Sequence, residues 1–319
     1  MDIVSTTSAG ENMELIRIPS GLGSLNMALR HLAASGSRAG APVLILHGAT
    51  FPSANAAAWK IDGRSWMNDL ADSGFDVYAL DFLGYGESDR YPEMLAGDAS
   101  GPALGDVDSM VTQVEHAVAR ITAKRPGVAV NLVAHSAATL VAGRYAELHP
   151  DRVARLVMFG APAPSAGKGA DDAPSVRFFQ VSANDQLEAF EPRVKESGRL
   201  DPGMFAVWAA AYLASDPDSS SRRPPSVRVP RGMMAALSEV NRHGKLPYDP
   251  ARLTIPTLVI QGEWDAVTPP SQGLWLFEHL ASPFKRLVIL SQGGHRLHLE
   301  QSRSQLYLEV RAFLLERDG

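Results

Sequence analysis

Val128-Ala129-Val130-Asn131-Leu132-Val133-Ala134-His135-Ser136-Ala137-Ala138-Thr139 is the stretch from which the rest of the chain can be read. Its first half is a short continuous apolar run, as expected of a strand buried on both faces. Helical spacing takes over across Ala137–Leu148. A serine at such a strand-to-helix junction sits on a sharp turn at the carboxyl end of a sheet. The N–H that follows it belongs to a helix N-terminus and is suited to an oxyanion. The signature of a nucleophile elbow is Gly-x-Ser-x-Gly. Here the flanking positions are Ala134 and Ala138, the next smallest side chains. Taken alone, the segment reads equally well as a serine that caps the following helix.

Working outward, similar apolar runs predict strands at Ala41–His47, Phe75–Phe82, Val153–Phe159, Thr257–Gln261 and Phe284–Leu290. Residues 13–19 and 25–32 alternate apolar and polar, which predicts a hairpin through Gly21-Leu22-Gly23. Helices are predicted over Ser65–Ala71, Asp106–Arg125, Gln272–Leu280 and Ser302–Arg317. In the second of these, Val107, Met110, Val111, Val114, Ala117, Val118 and Ile121 recur at the helical period. Strand and helix in alternation imply an α/β fold: a mostly parallel sheet, covered by helices on both faces.

One region breaks the rhythm. Residues 161–251 hold no clear strand, several aromatic helix-like segments, and a Pro/Ser/Arg-rich stretch from Asp216 to Pro230 that reads as a long loop. These 91 residues are expected to form a largely helical cap inserted between core strands, leaving 1–160 and 252–319 as the core.

Composition narrows the chemistry. The chain has 319 residues, 45% hydrophobic and 20% charged, enough for a sizeable core without staples. It has no cysteine, which removes disulfides, thiolate metal sites and a cysteine nucleophile. A formal net charge of -5 offers no electrostatic case for nucleic acid or an anionic membrane. The first twelve residues lack a basic and then apolar leader, and no stretch approaches a membrane span. The expected setting is cytoplasmic.

Three further segments carry possible chemistry. His47-Gly48-Ala49-Thr50 ends an early strand. There the Ala49 N–H can supply a second oxyanion donor, with the Thr50 hydroxyl beside it. Gly262-Glu263-Trp264-Asp265 follows a buried strand and offers two carboxylates, of which Asp265 is placed to face Ser136. Gly293-Gly294-His295 follows the last strand, and its ring can swing over the sheet edge. His298 lies three residues on, but no HExxH pattern or acidic cluster accompanies the pair, so no metal is expected. Gly84-Tyr85-Gly86 lacks the spacing of a dinucleotide loop. Ser136, Asp265 and His295 follow the chain order of a serine triad, each at the end of a parallel strand.

With these motifs together, and with Leu80-Asp81-Phe82-Leu83-Gly84-Tyr85-Gly86-Glu87-Ser88, the chain resembles the α/β-hydrolase superfamily over nearly its whole length. The resemblance implies Ser136 as nucleophile, His295 as general base, Asp265 as its orienting acid, and Ala49 and Ala137 as oxyanion donors. A serine at the elbow implies acyl chemistry rather than the aspartate chemistry of dehalogenase and epoxide-hydrolase relatives. The expected substrate is a small to medium apolar carboxylic ester, with no cofactor. A lactone, an amide or a carbon–carbon bond would suit the same triad, and a non-catalytic receptor on this fold is the remaining alternative. Thr50, Trp59, Phe205 and Trp208 are candidate pocket residues, with Trp66 a further aromatic after the oxyanion loop. Arg222, Arg223, Arg228 and Arg231 can grip a substrate carboxylate or simply belong to a solvated loop.

Overall fold

Alternate residues of the central strands face two different cores. In β4 (Val43–Leu46), Leu44 and Leu46 join one apolar cluster, whereas Val43 and Ile45 join the other. The period of two along a strand has this result wherever both faces are covered. The computed structural model describes residues 3–5, 13–37, 40–164 and 176–316. The rest of the first twelve residues, 165–175 of the insertion and Arg317 lie outside them.

Among the described residues, nine strands form one sheet in the order β1-β2-β3-β5-β4-β6-β7-β10-β11. They are β1 (Ile3–Ser5), β2 (Glu14–Pro19), β3 (Asn26–Leu32), β4, β5 (Val77–Asp81), β6 (Val130–His135), β7 (Val153–Phe159), β10 (Thr257–Gly262) and β11 (Lys285–Leu290). The pairs from β5 through β11 are parallel, and β1, β2 and β3 run antiparallel at one edge. The expected hairpin is β2–β3, and Gly21 and Gly23 take its left-handed positions with φ of 78° and 58°.

Helices α3 (Val107–Thr122), α4 (Ala138–Leu148) and α9 (Pro270–His279) cover one face, and α1 (Trp66–Asp72) and α10 (Arg303–Leu315) the other. Asp106 starts α3 by accepting a bond from the Ser109 N–H at 2.8 Å, so the helix begins where its apolar period begins. A short α2 (Pro92–Ala96) follows β5. No helix is long and apolar enough to cross a membrane among the described residues.

Two expectations need correction. The run Phe284–Leu290 reads as a strand buried on both faces, but β11 is an edge strand, with Ile289 50% exposed. An apolar run reports strand propensity and does not report how many neighbours the strand acquires. The insertion also contains strand: β8 (Phe178–Ser182) pairs antiparallel with β9 (Ser226–Pro230), Phe178 opposite Pro230 and Ser182 opposite Ser226. β9 lies inside the stretch expected to be loop. Its Val227 and Val229 are buried on one side, too brief an alternation to stand out among prolines, serines and arginines.

The described part of the insertion also holds four helices: α5 (Ala183–Glu188), α6 (Pro192–Glu196), α7 (Pro202–Ala214) and α8 (Gly232–His243). Along α7, Phe205, Trp208 and Tyr212 form one buried stripe, with Phe205 and Tyr212 ring-packed on Trp208 at centroid distances of 5.6 and 5.2 Å. These rings belong to the same apolar cluster as Leu44 and Leu132, so this segment and the α3–α4 face of the sheet share one core.

Candidate active site

Ser136 stands just past the end of β6 with φ of 57°, a left-handed conformation that costs a non-glycine residue about 1–2 kcal/mol. The turn is held by Ser136 N–H donating to the Phe159 carbonyl at 2.8 Å and by Thr139 N–H donating to the Ser136 carbonyl at 2.9 Å. Strain of this kind turns a side chain out of a buried strand. Ser136 is half-buried, whereas its neighbours from Asn131 to Leu140 are buried. The positive φ falls on Ser136 itself and not on Ala134 or Ala138, so neither flanking position needs glycine's freedom.

The His295 ring reaches the serine from the loop after β11. Its Nε2 lies 2.8 Å from Ser136 Oγ, and its Nδ1 lies 2.8 Å from Asp265 Oδ2. The two oxygens of Asp265 divide two roles. Oδ1 accepts the Val267 and Thr268 N–H groups at 2.9 and 2.7 Å, an ordinary turn cap, while Oδ2 faces the imidazole. Thr268 adds a hydroxyl that donates to Oδ2 at 2.8 Å. With a carboxylate on Nδ1, that nitrogen carries the proton and Nε2 presents its lone pair to the serine. Glu263, the other carboxylate of the loop, is exposed and accepts the Gln292 N–H at 2.8 Å. Gly160 has φ of 61°, and a Cβ there would sit 3.2 Å from the His295 ring.

Two peptide units flank the serine, and both are anchored from behind. The Gly48 carbonyl accepts from His47 Nδ1 at 2.7 Å, and the planar trans peptide then turns the Ala49 N–H the opposite way. His47 Nε2 accepts the Phe82 N–H at 3.2 Å, and burial holds this imidazole below its usual pKa, hence neutral in a single tautomer. Likewise the Ser136 carbonyl is engaged by Thr139, which turns away the Ala137 N–H. The Tyr85 hydroxyl donates to the Ala49 carbonyl at 2.7 Å and fixes the next unit. Gly48 approaches so closely that a Cβ would lie 3.0 Å from His135 and 3.4 Å from Ser136 Cβ.

The other expected residues are placed as follows. Thr50 meets Gln186 of α5, whose Nε2 donates to the Thr50 carbonyl at 3.2 Å. Phe205 and Trp208 lie in the α7 stack, and Trp208 Nε1 donates to the Asn55 carbonyl at 2.8 Å. Trp59 is partly buried against the same cluster. Trp66 lies on the opposite face of the sheet, stacked on Tyr307 at 5.6 Å, and is core rather than pocket. Arg222 is not solvated: its side chain is only 8% exposed and pairs with Asp216 at 2.7 Å. Arg228 donates to the Met94 carbonyl, and Arg223 to those of Ser220 and Arg222. The Arg231 backbone bridges to Arg177 through its N–H at 3.1 Å. His298 is buried among Phe51, Trp66, His135 and Phe159, and burial pushes its pKa down to about 3. Among the described residues no cluster of three or more His, Asp or Glu has metal-holding geometry.

Several contributors carry no sequence signal of their own. Thr268, Tyr85 and His47 lie inside noted motifs, but their partners are set by the fold. Glu300 is fully buried, accepts the Gly294 N–H at 3.1 and 3.2 Å, and is pushed up to about 8 by burial. Unfolded, this carboxyl releases its proton near pH 4.5, whereas folded it keeps it until about pH 8. Its stabilisation is therefore full below pH 4.5 and is lost as pH rises toward 8. Glu300→Gln is expected to flatten the fall in thermal stability between about pH 5 and 8, read by calorimetry across that window. An unchanged slope would contradict the assignment.

Comparison with known proteins places this geometry in context. A family model described as serine aminopeptidase, S33, matches residues 38–302. The chain is 29% identical over 297 residues to a 2-hydroxymuconate semialdehyde hydrolase from Pseudomonas sp. (strain CF600), covering 89% of this chain and 90% of that one. Among solved structures it is similar to a serine hydrolase involved in carbazole degradation, with TM-score 0.65, 17% identity, and coverage of 96% and 100%. A 2-hydroxy-6-oxo-6-phenylhexa-2,4-dienoate hydrolase from Rhodococcus sp. strain RHA1 gives TM-score 0.58 at 22% identity, covering 95% and 99%. A thermophilic esterase from Thermogutta terrifontis gives TM-score 0.58 at 21% identity, covering 94% and 97%. At these identities the structures bear on the fold.

Proposed function

Because this chain belongs to the α/β-hydrolase family described as serine aminopeptidase S33, we propose that it cleaves a carboxylic ester of a small to medium apolar substrate through an acyl-enzyme on Ser136. The observation that carries this reading is the relay of 2.8 and 2.8 Å from Ser136 Oγ through His295 to Asp265. A serine hydroxyl is a weak nucleophile until a base takes its proton. His295 Nε2 is in hydrogen-bond reach to do so as Oγ attacks the ester carbonyl carbon. The developing oxyanion is held by the Ala49 and Ala137 N–H groups, each worth about 3 kcal/mol in the transition state. The imidazolium, stabilised by Asp265, then protonates the departing alkoxide. Water deacylates the serine by the same steps in reverse, and no cofactor enters. Residues 161–251 act as the cap over a core of 1–160 and 252–319, with Phe51, Phe190 and Phe205 forming an apolar cluster near the site.

The similarity to the 2-hydroxymuconate semialdehyde hydrolase along nine-tenths of both chains favours a second reading, hydrolysis of a carbon–carbon bond in a vinylogous diketone. A substrate panel separates the two. It comprises p-nitrophenyl esters of graded acyl length, a lactone, alanine p-nitroanilide and 2-hydroxymuconate semialdehyde. The ester reading expects a p-nitrophenol burst and a kcat/KM for some ester at least about tenfold above that for the semialdehyde. The reverse order would establish the second reading. No turnover and no labelling of Ser136 by a fluorophosphonate would sink both.

A further inference from the structure

The His295 backbone is gripped from both sides. Its carbonyl accepts from His135 Nε2, at 2.9 Å, on the residue that precedes the serine. Its N–H donates at 2.9 Å to Glu191 Oε1, and Glu191 belongs to the inserted segment, at the head of α6. The same oxygen accepts the Ala266 N–H at 3.4 Å, next to Asp265. One carboxylate oxygen therefore ties the loop bearing the base to the loop bearing the acid. Glu191 is buried, 5% exposed, and a Cβ on Gly294 would stand 2.2 Å from its Oε2, so the loop gives way to this side chain. At their feet the two loops are already joined by Trp264 N–H to the Gly293 carbonyl at 2.8 Å. Glu191 adds the tie at the level of the reacting groups.

The segment that carries Glu191 is itself fixed. Ser182 and Asp185 cap α5 reciprocally. Gln186 reaches the other side of the serine, bonding the backbone and hydroxyl of Thr50 beside Ala49. Arg296 donates to the Ala189 carbonyl and lies 5.3 Å over the Phe190 ring.

We infer that Glu191 is a positioning residue for His295: seated in the cap, it sets the spacing of the Asp265 and His295 loops, so that docking of the cap and alignment of the base are one event. The inference rests on the reading of Ser136, His295 and Asp265 as the reacting groups. What Glu191 supplies is an acceptor at a given reach. Charge is secondary, because a backbone N–H is satisfied by any carbonyl-type oxygen.

Reach and charge can be separated by substitution. Glu191→Gln keeps an acceptor at the same distance, and Glu191→Asp keeps the charge but withdraws it by one methylene. Fluorophosphonate labelling of Ser136 and steady-state ester turnover are to be measured on both, with circular dichroism to confirm folding. Glu191→Asp is expected to lower the labelling rate and kcat by about 10–100-fold with KM nearly unchanged, the loss typical of a displaced orienting partner. Glu191→Gln is expected to stay within about threefold of the parent, since it preserves the acceptor. Asp equal to the parent, Gln as impaired as Asp, or a loss confined to KM overturns the inference. The parent protein discriminates the underlying reading: if its Ser136 resists labelling, the assignment of the reacting groups fails, whatever the variants do.

Discussion

Ser136→Ala is expected to remove ester turnover almost completely, lowering kcat by about 10⁴–10⁶-fold, with no fluorophosphonate labelling. The size of the effect follows from what the hydroxyl does. In the proposed reaction its oxygen forms the covalent intermediate, and among the described residues the relay behind it has no other hydroxyl at His295 Nε2 to activate. Alanine at φ of 57° bears much the same backbone cost as serine, so the elbow itself persists. The one bond lost is that to His295 Nε2. The melting temperature should therefore move by only a few degrees while activity collapses. Residual turnover within about a hundredfold of the parent would mean that another group supplies the nucleophile.

Asp265→Asn is expected to cost about 10⁴-fold in kcat at nearly constant KM. The direction of the amide is decided by the turn. Val267 and Thr268 aim their N–H groups at Oδ1, so the asparagine oxygen must take that place. The amide nitrogen then occupies the Oδ2 position, 2.8 Å from His295 Nδ1 in the parent. It donates, so Nδ1 must present a lone pair and the ring proton moves to Nε2. A protonated Nε2 facing Ser136 Oγ cannot take the serine's proton. Glu263→Gln is the control, because Glu263 is exposed and bonds only at the foot of the loop. It should leave kcat within about twofold, as surface substitutions ordinarily do. Activity of Asp265→Asn within tenfold of the parent would show that His295 is oriented by something else.

The elements that position these groups were largely legible in the chain. The apolar runs at Ala41–His47 and Thr257–Gln261 became the interior parallel strands Val43–Leu46 and Thr257–Gly262, and the hairpin of β2 and β3 was visible in its alternation and its glycines. The run Phe284–Leu290 did become a strand, β11, but at the sheet edge with Ile289 exposed, and β9 was missed because its alternating Val227 and Val229 are submerged among prolines and arginines. Trp66 shows the same limit. Its place after the oxyanion loop suggested a pocket wall, yet a helix turns it to the far face of the sheet, against Tyr307.

By itself the sequence determined the alternation of strands and helices, the serine at a strand-to-helix junction, and the carboxylate and imidazole that follow other strands. These are features of neighbouring residues, and the periods of strand and helix and the chemistry of turns act over a few positions. The tertiary structure alone decided that Thr268 shares the Asp265 oxygen facing the ring, and that His47 and Tyr85 brace the peptides facing the serine. It alone brought Glu191 to the His295 N–H across 104 residues of chain. A hydrogen bond depends on distance and angle in space, and no pattern of neighbours along a chain encodes which distant side chain arrives there.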